Sequence, residues 1–110
     1  MILEFVTFPT PPGQTRDQEY DGARHSAAAW VKNSELVAKH FIRDGEGTSG
    51  ATYIWPSVEA AKRGHNEAWL AEFRKRNGCD PVIRYFELMM TADAKAGKVV
   101  EYGEEMQAAE

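Results

Sequence analysis

The sequence predicts an α+β fold of ferredoxin-like βαββαβ order, and two patterns carry that prediction. Short stretches such as Ile2–Phe8, Ala51–Trp55 and Val82–Met90 are rich in β-branched and aromatic residues and end at Pro or loop residues. Between them lie longer stretches whose apolar residues recur at helical spacing behind N-terminal caps. The order strand, helix, hairpin, helix, strand is the split βαβ arrangement, an antiparallel sheet with its helices on one face.

The elements follow in order. Ile2–Phe8 is a strand stopped at Pro9, and "TPPGQ" leads out of it. Thr15 and Gln18 spell a T-x-x-Q capping box, so a helix starts near Arg16. Tyr20, Ala23, Ala27, Trp30 and Val31 make its apolar stripe, and Asn33 and Ser34 end it near Lys32. From Glu35 to Asp44 the chain alternates: Leu36, Ala38, His40 and Ile42 share one face, and Val37, Lys39, Phe41 and Arg43 the other. The Gly-rich "GEGTSG" then joins this strand to Ala51–Trp55 as a hairpin closed by Pro56. Ser57 caps a helix running from Val58 towards Arg76. Gly64 and Asn66 interrupt it, which predicts a kink and a second cap at Asn66 for a segment opening at Glu67. Gly78 ends the helix and Pro81 precedes the last main strand, Val82–Met90. "TADAKAGK" loosens the chain, Val99–Tyr102 adds a short strand, and 103–110 reads as a flexible acidic tail. Residues 1–102 are thus expected to form a single domain.

Composition narrows the partners. A chain of 110 residues with a formal charge of −4 lacks the basic patch that nucleic acid or an anionic membrane would select. The cluster Arg74-Lys75-Arg76 falls in the last turn of a helix, where it complements the helix dipole. Cys79 is the single cysteine, so no internal disulfide forms. The segment "MILEFVTFPT" alternates and has no basic leader, reading as a strand rather than a signal peptide. No apolar run approaches the ~18 residues of a membrane span. The expectation is a cytoplasmic protein with no membrane and no nucleic-acid partner.

Of the motifs, "GEGTSG" matches G-x-G-x-x-G, but a strand follows it where a dinucleotide fold needs a helix. His25, His40 and His65 have no paired metal spacing, so no metal site is expected. His25 lies towards a polar helix flank, and His40 shares a strand face with Leu36 and Ile42. His65 falls in the apolar stripe of its helix with Val58, Ala61 and Trp69. Burial there disfavours the imidazolium, and a neutral imidazole in an apolar pocket is a competent general base. The plainer alternative is a structural histidine bonded to a backbone carbonyl at the kink. Tyr53, Trp55, Trp30, Trp69 and Tyr85 either line a pocket for an aromatic ligand or are simply core. Tyr85 or His40 is a candidate hydrogen-bonding partner for a substrate oxygen, while Glu72 belongs at the rim. Helices on one face leave the other face of the sheet open. Phe5 or Phe8, Phe41 or Ile42, and Phe86 or Tyr85 would stand on it, which predicts a homodimer joined through the sheets.

The stretch "LVAKHFIRDGEGTSGATYIWPSVEAAKRGHNEAW", followed by "PVIRYFELMM", resembles the YdhR-like mono-oxygenases of the dimeric α+β barrel superfamily. Lys39, Tyr53, Trp55, Ser57, Trp69, Tyr85 and Phe86 occupy that family's motif positions over residues 35–91. Gly50-Ala51 stands where the family has a double glycine, and "NSEL" where it has a Pro-Gly-Leu entry. His65 is similar to a helix histidine of the related antibiotic-biosynthesis mono-oxygenases. The resemblance implies oxidation of a small aromatic or polyketide-like molecule by dioxygen, with His65 as base and no flavin, metal or haem as cofactor. It also admits a non-catalytic ligand-binding or stress-associated dimer of the same fold. The superfamily contains lactone isomerases and haem-degrading enzymes too, but the latter pair their histidine with an Asn on the first strand, and "ILEFVTF" has none.

Overall fold

Alternation along the first strand, β1 (Ile2–Pro9), sets the two faces of the sheet, because successive side chains of a strand point to opposite sides. Ile2, Glu4 and Val6 are buried, while Leu3, Phe5 and Thr7 are only half-buried. The computed structural model describes residues 1–103. Helix α1 (Arg16–Trp30) follows, then β2 (Ala38–Arg43), β3 (Thr48–Trp55), α2 (Val58–Gly64), α3 (Glu67–Asn77), β4 (Val82–Glu87), β5 (Met90–Asp93) and β6 (Lys98–Glu101). The main sheet has four antiparallel strands in the order β2-β3-β1-β4, and β5 pairs with β6 in a separate hairpin. This α+β arrangement is compatible with a ferredoxin-like fold.

The caps read from the sequence are present. Thr15 and Gln18 exchange side-chain and backbone hydrogen bonds at 3.2 and 2.9 Å, and the Ser57 hydroxyl accepts from the Ala60 N–H at 3.1 Å. Asn66 accepts from the Trp69 N–H at 3.0 Å, so the second long helix is two helices meeting at His65. Gly78 closes α3 in the left-handed region, at φ 69°.

Three strand boundaries differ from expectation by more than one residue. β2 opens at Ala38 rather than Glu35, because Asn33 holds the Glu35 and Leu36 N–H groups in a turn. β3 starts at Thr48, so half of "GEGTSG" is strand, and the Asp44 side chain closes the short loop on the Glu46 and Thr48 N–H groups. β4 ends at Glu87 rather than Met90, since its partner β1 runs out at Ile2. The chain then turns into β5, and Asp93 caps a turn that returns it as β6. The expected acidic tail lies, from residue 104, outside the described residues.

The core holds Ile2, Val6, Ala51, Tyr53, Trp55, Val58, Ala60 and Ala61, packed between the sheet and the helices. Phe73 of α3 packs edge-on to Phe8 of β1, with ring centroids 4.9 Å apart. Helix α1 buries no residue and meets the sheet chiefly through Trp30, whose ring lies 5.3 Å from Tyr53. All three helices therefore lie on the face of Ile2, Glu4 and Val6. On the other face Leu3 pairs with Ile54 and Phe86, and Phe5 with Thr52 and Arg84.

Candidate functional site

Strand register assembles a polar row across the sheet under the helices. Lys39 of β2 pairs with Tyr53 of β3, Tyr53 with Glu4 of β1, and Glu4 with Tyr85 of β4. All four side chains point to one face, since cross-strand partners share a side.

Glu4 is the centre of this row and is fully buried. A buried carboxylate is costly unless its oxygens are satisfied, and here they are. The Trp55 Nε1–H donates to Oε1 at 2.8 Å, and His65 Nδ1 lies 2.8 Å from Oε2. Tyr85 is the cross-strand neighbour of Glu4 on β4, and burial together with the Glu4 charge raises the pKa of its phenol to about 12. Tyr53 is raised further by the same two causes, burial first. Both phenols stay protonated at neutral pH.

His65 sits where α2 gives way to α3, its N–H bonded to the Ala61 carbonyl at 2.9 Å. Gly64 before it is required by packing: a Cβ there would collide with the Trp55 indole. The imidazole lies 4.0 Å from the Trp69 ring, 4.4 Å from Tyr53 and 5.1 Å from Trp30, measured between centroids. Its side chain is 1% exposed, and Nε2 has no hydrogen-bond partner among the described residues. In the tautomer whose Nδ1–H donates to the Glu4 carboxylate, Nε2 presents a lone pair inside an aromatic enclosure, the arrangement of a histidine base.

Beside this enclosure, between α1, α3 and the sheet, lies a cavity of about 480 Å³, within the roughly 300–1,000 Å³ usual for small-molecule sites. Trp30, Tyr53, Trp69, Phe8 and Phe73 supply aromatic wall, and Lys39, Arg76, Ser26 and the Glu19–Arg43 pair supply polar groups. The Lys39 ammonium lies 4.1 Å from the Phe41 ring, 4.7 Å from Tyr53 and 5.2 Å from Trp30, and donates to the Ser26 hydroxyl at 3.3 Å. Burial, and then the neighbouring Arg76 charge, lowers its pKa from 10.5 to about 7.

No protein-family model matches the chain, and no curated protein does either. The site's chemistry is accordingly read from its own geometry.

That geometry separates the residues named from the sequence. Trp30, Tyr53 and Trp69 line the cavity and also surround His65. Trp55 is fully buried behind the imidazole, and Tyr85 ends the polar row on the strand furthest from β2. His40 pairs with Thr52 on the opposite face and is exposed, so it reaches neither the cavity nor His65. His25 is exposed on α1. The bond to Glu4 replaces the backbone carbonyl considered for His65. Glu4 is not among the site residues expected from the sequence, and Arg76 is expected there only as one of the Arg74-Lys75-Arg76 cluster that complements the helix dipole, whereas it lines the cavity. The signal for Glu4 is a charge in mid-strand between Ile2 and Val6, and for Arg76 a helix-end cation one turn beyond the buried Phe73. Among the described residues, no group of three or more His, Cys, Asp or Glu gathers to hold a metal ion, and no helix is long and apolar enough to cross a membrane.

Proposed function

We propose that the chain is a cofactor-independent mono-oxygenase acting on a small aromatic or polyketide-like molecule, with His65 as its base. The observation that carries this reading is the Glu4–His65 pair, whose unpartnered Nε2 lies behind the aromatic wall of the cavity. Nε2 takes a proton from an acidic ring methylene, and Glu4 stabilises the imidazolium that forms. The carbanion passes an electron to dioxygen, and the radicals combine to a peroxide anion that recovers the proton. Loss of the remaining methylene proton with cleavage of the O–O bond gives a carbonyl and water. Overall the ring methylene and one dioxygen become a ring carbonyl and one water, with the substrate supplying every electron. Because Trp30, Tyr53 and Trp69 screen the imidazole, one of these rings must swing aside for substrate to reach Nε2.

Oxygen consumption with an anthrone as substrate tests this. His65→Gln should lower the rate on the order of 10²-fold or more, the usual contribution of a positioned base. An unchanged rate removes His65 from the chemistry.

A second reading, a non-catalytic ligand-binding dimer, is favoured by the 1% exposure of the His65 side chain, which leaves Lys39 as the polar group nearer the ligand space. Recovery of a tightly bound ligand chemically unchanged after aerobic incubation would select it.

Both readings take the ferredoxin-like unit to be half of a dimeric α+β barrel closed through the open sheet face. Leu3, Ile54 and Phe86 form an apolar cross-strand row there, and Phe86 of β4 is 39% exposed, with Ile42 of the opposite edge strand exposed at 42%. Sedimentation should give a dimer, and Phe86→Glu should shift it towards monomer. A monomeric wild-type protein at micromolar concentration would remove the barrel from the proposal.

A further inference from the structure

Charge in the cavity is unbalanced. Glu19, its acidic wall residue, is already engaged: its carboxylate accepts from Arg43 Nε at 3.0 Å and from the Ser49 hydroxyl at 2.7 Å. Lys39 from β2 and Arg76 from α3 also line the cavity, and neither has an ion-pair partner among the described residues. Lys39 is bonded only to the neutral Ser26 hydroxyl and is otherwise faced by three aromatic rings. Glu4 attracts Lys39 from β1, but its two oxygens are already taken by Trp55 and His65. The phenol of Tyr53, facing Lys39 from β3, carries no charge at neutral pH. Lys39 is thus desolvated among aromatic rings while Arg76, exposed at the cavity edge, repels it, so a positive charge on Lys39 is unfavourable until an anion joins them.

We infer that the cavity ligand is an aromatic carboxylate, with its ring between Trp30, Tyr53 and Trp69 and its carboxylate between Lys39 and Arg76. This deepens the preceding reading and rests on it for the cavity being the ligand site. The contact is electrostatic and complementary on both sides: a planar acid stacks its ring on aromatic walls, and Arg presents a fork matched to two oxygens. It also couples binding to protonation. Lys39, which loses its proton near pH 7 in the free protein, holds it once the carboxylate arrives. Binding at neutral pH therefore takes up a proton, and affinity falls as pH rises above about 7.

Calorimetric titration with 2-naphthoate and with its methyl ester, at pH 6 and pH 8.5, tests the inference on the full chain. The acid is expected to bind at least tenfold more tightly than the ester at pH 6, with a smaller preference at pH 8.5. Near pH 7 the acid alone should show heats that depend on the buffer's ionisation enthalpy. Lys39→Met and, independently, Arg76→Met should bring the acid-to-ester preference down to about one. Equal binding of acid and ester by the wild-type protein would overturn the carboxylate anchor and leave the aromatic pocket standing. Binding of neither, by protein with a native circular dichroism spectrum, would overturn both.

Discussion

Glu4 shows how one residue can organise a site without touching its cavity. Its carboxylate accepts from Trp55 and holds His65, tying β3 and the α2–α3 junction to the middle of β1. Replacing it strands two buried polar groups, the Trp55 Nε1–H and His65 Nδ1, each costing roughly 1–3 kcal/mol when unsatisfied. Glu4→Ala should therefore lower the unfolding free energy by about 3 kcal/mol or more, read from urea denaturation. A loss under ~1 kcal/mol would show that the buried network contributes little. Lys39 gives a second prediction at this scale. Its pKa is about 7 folded against an ordinary 10.5, so between those values the unfolded chain binds the extra proton. Stability must then rise with pH across that window. The raised phenols of Tyr53 and Tyr85 act oppositely, withdrawing stability as pH climbs above their ordinary 10.0. Urea midpoints should rise from pH 7 towards pH 10, and Lys39→Met should flatten that rise while raising the midpoint at pH 6. A rise that survives in the variant would assign the slope to other groups.

At the scale of elements, local chemistry was the legible part of the sequence. The box at Thr15 and Gln18, the caps at Ser57 and Asn66 and the stop at Gly78 are each decided by residues within one turn of the helix end. Strand ends were less legible because they depend on a partner: nothing within Val82–Met90 says that β1 stops pairing at Ile2. Glu4 was hidden for a related reason. Leu3, Phe5 and Thr7 are nearly as apolar as Ile2 and Val6, so alternation alone does not tell which set the helices cover. Gly64 was legible as an oddity but not in its cause. It ends α2 with an ordinary negative φ, and what it provides is room for the Trp55 indole. Gly64→Ala should accordingly cost about 1–3 kcal/mol, the range for overpacking a closed core, despite alanine's better helix propensity. A variant as stable as the wild type would show that Trp55 can shift.

For the whole molecule, the sheet divides two jobs. Its helix-covered face carries the row Lys39–Tyr53–Glu4–Tyr85, and its other face carries the apolar row Leu3–Ile54–Phe86. Helix α1 closes the cavity on the first of these faces while burying none of its own residues. Its amide protons should therefore trade with deuterated solvent through local excursions that leave the sheet intact, on a far shorter clock than those of β1 and β3. An occupant of the cavity should slow that trade across α1 while leaving the central strands at their original rates. Deuterium uptake followed by mass spectrometry would show this, and uniform protection of α1 and β1 would mean that they open as one unit. The helix that walls the binding space would then also act as its timekeeper, setting how often the interior meets the outside.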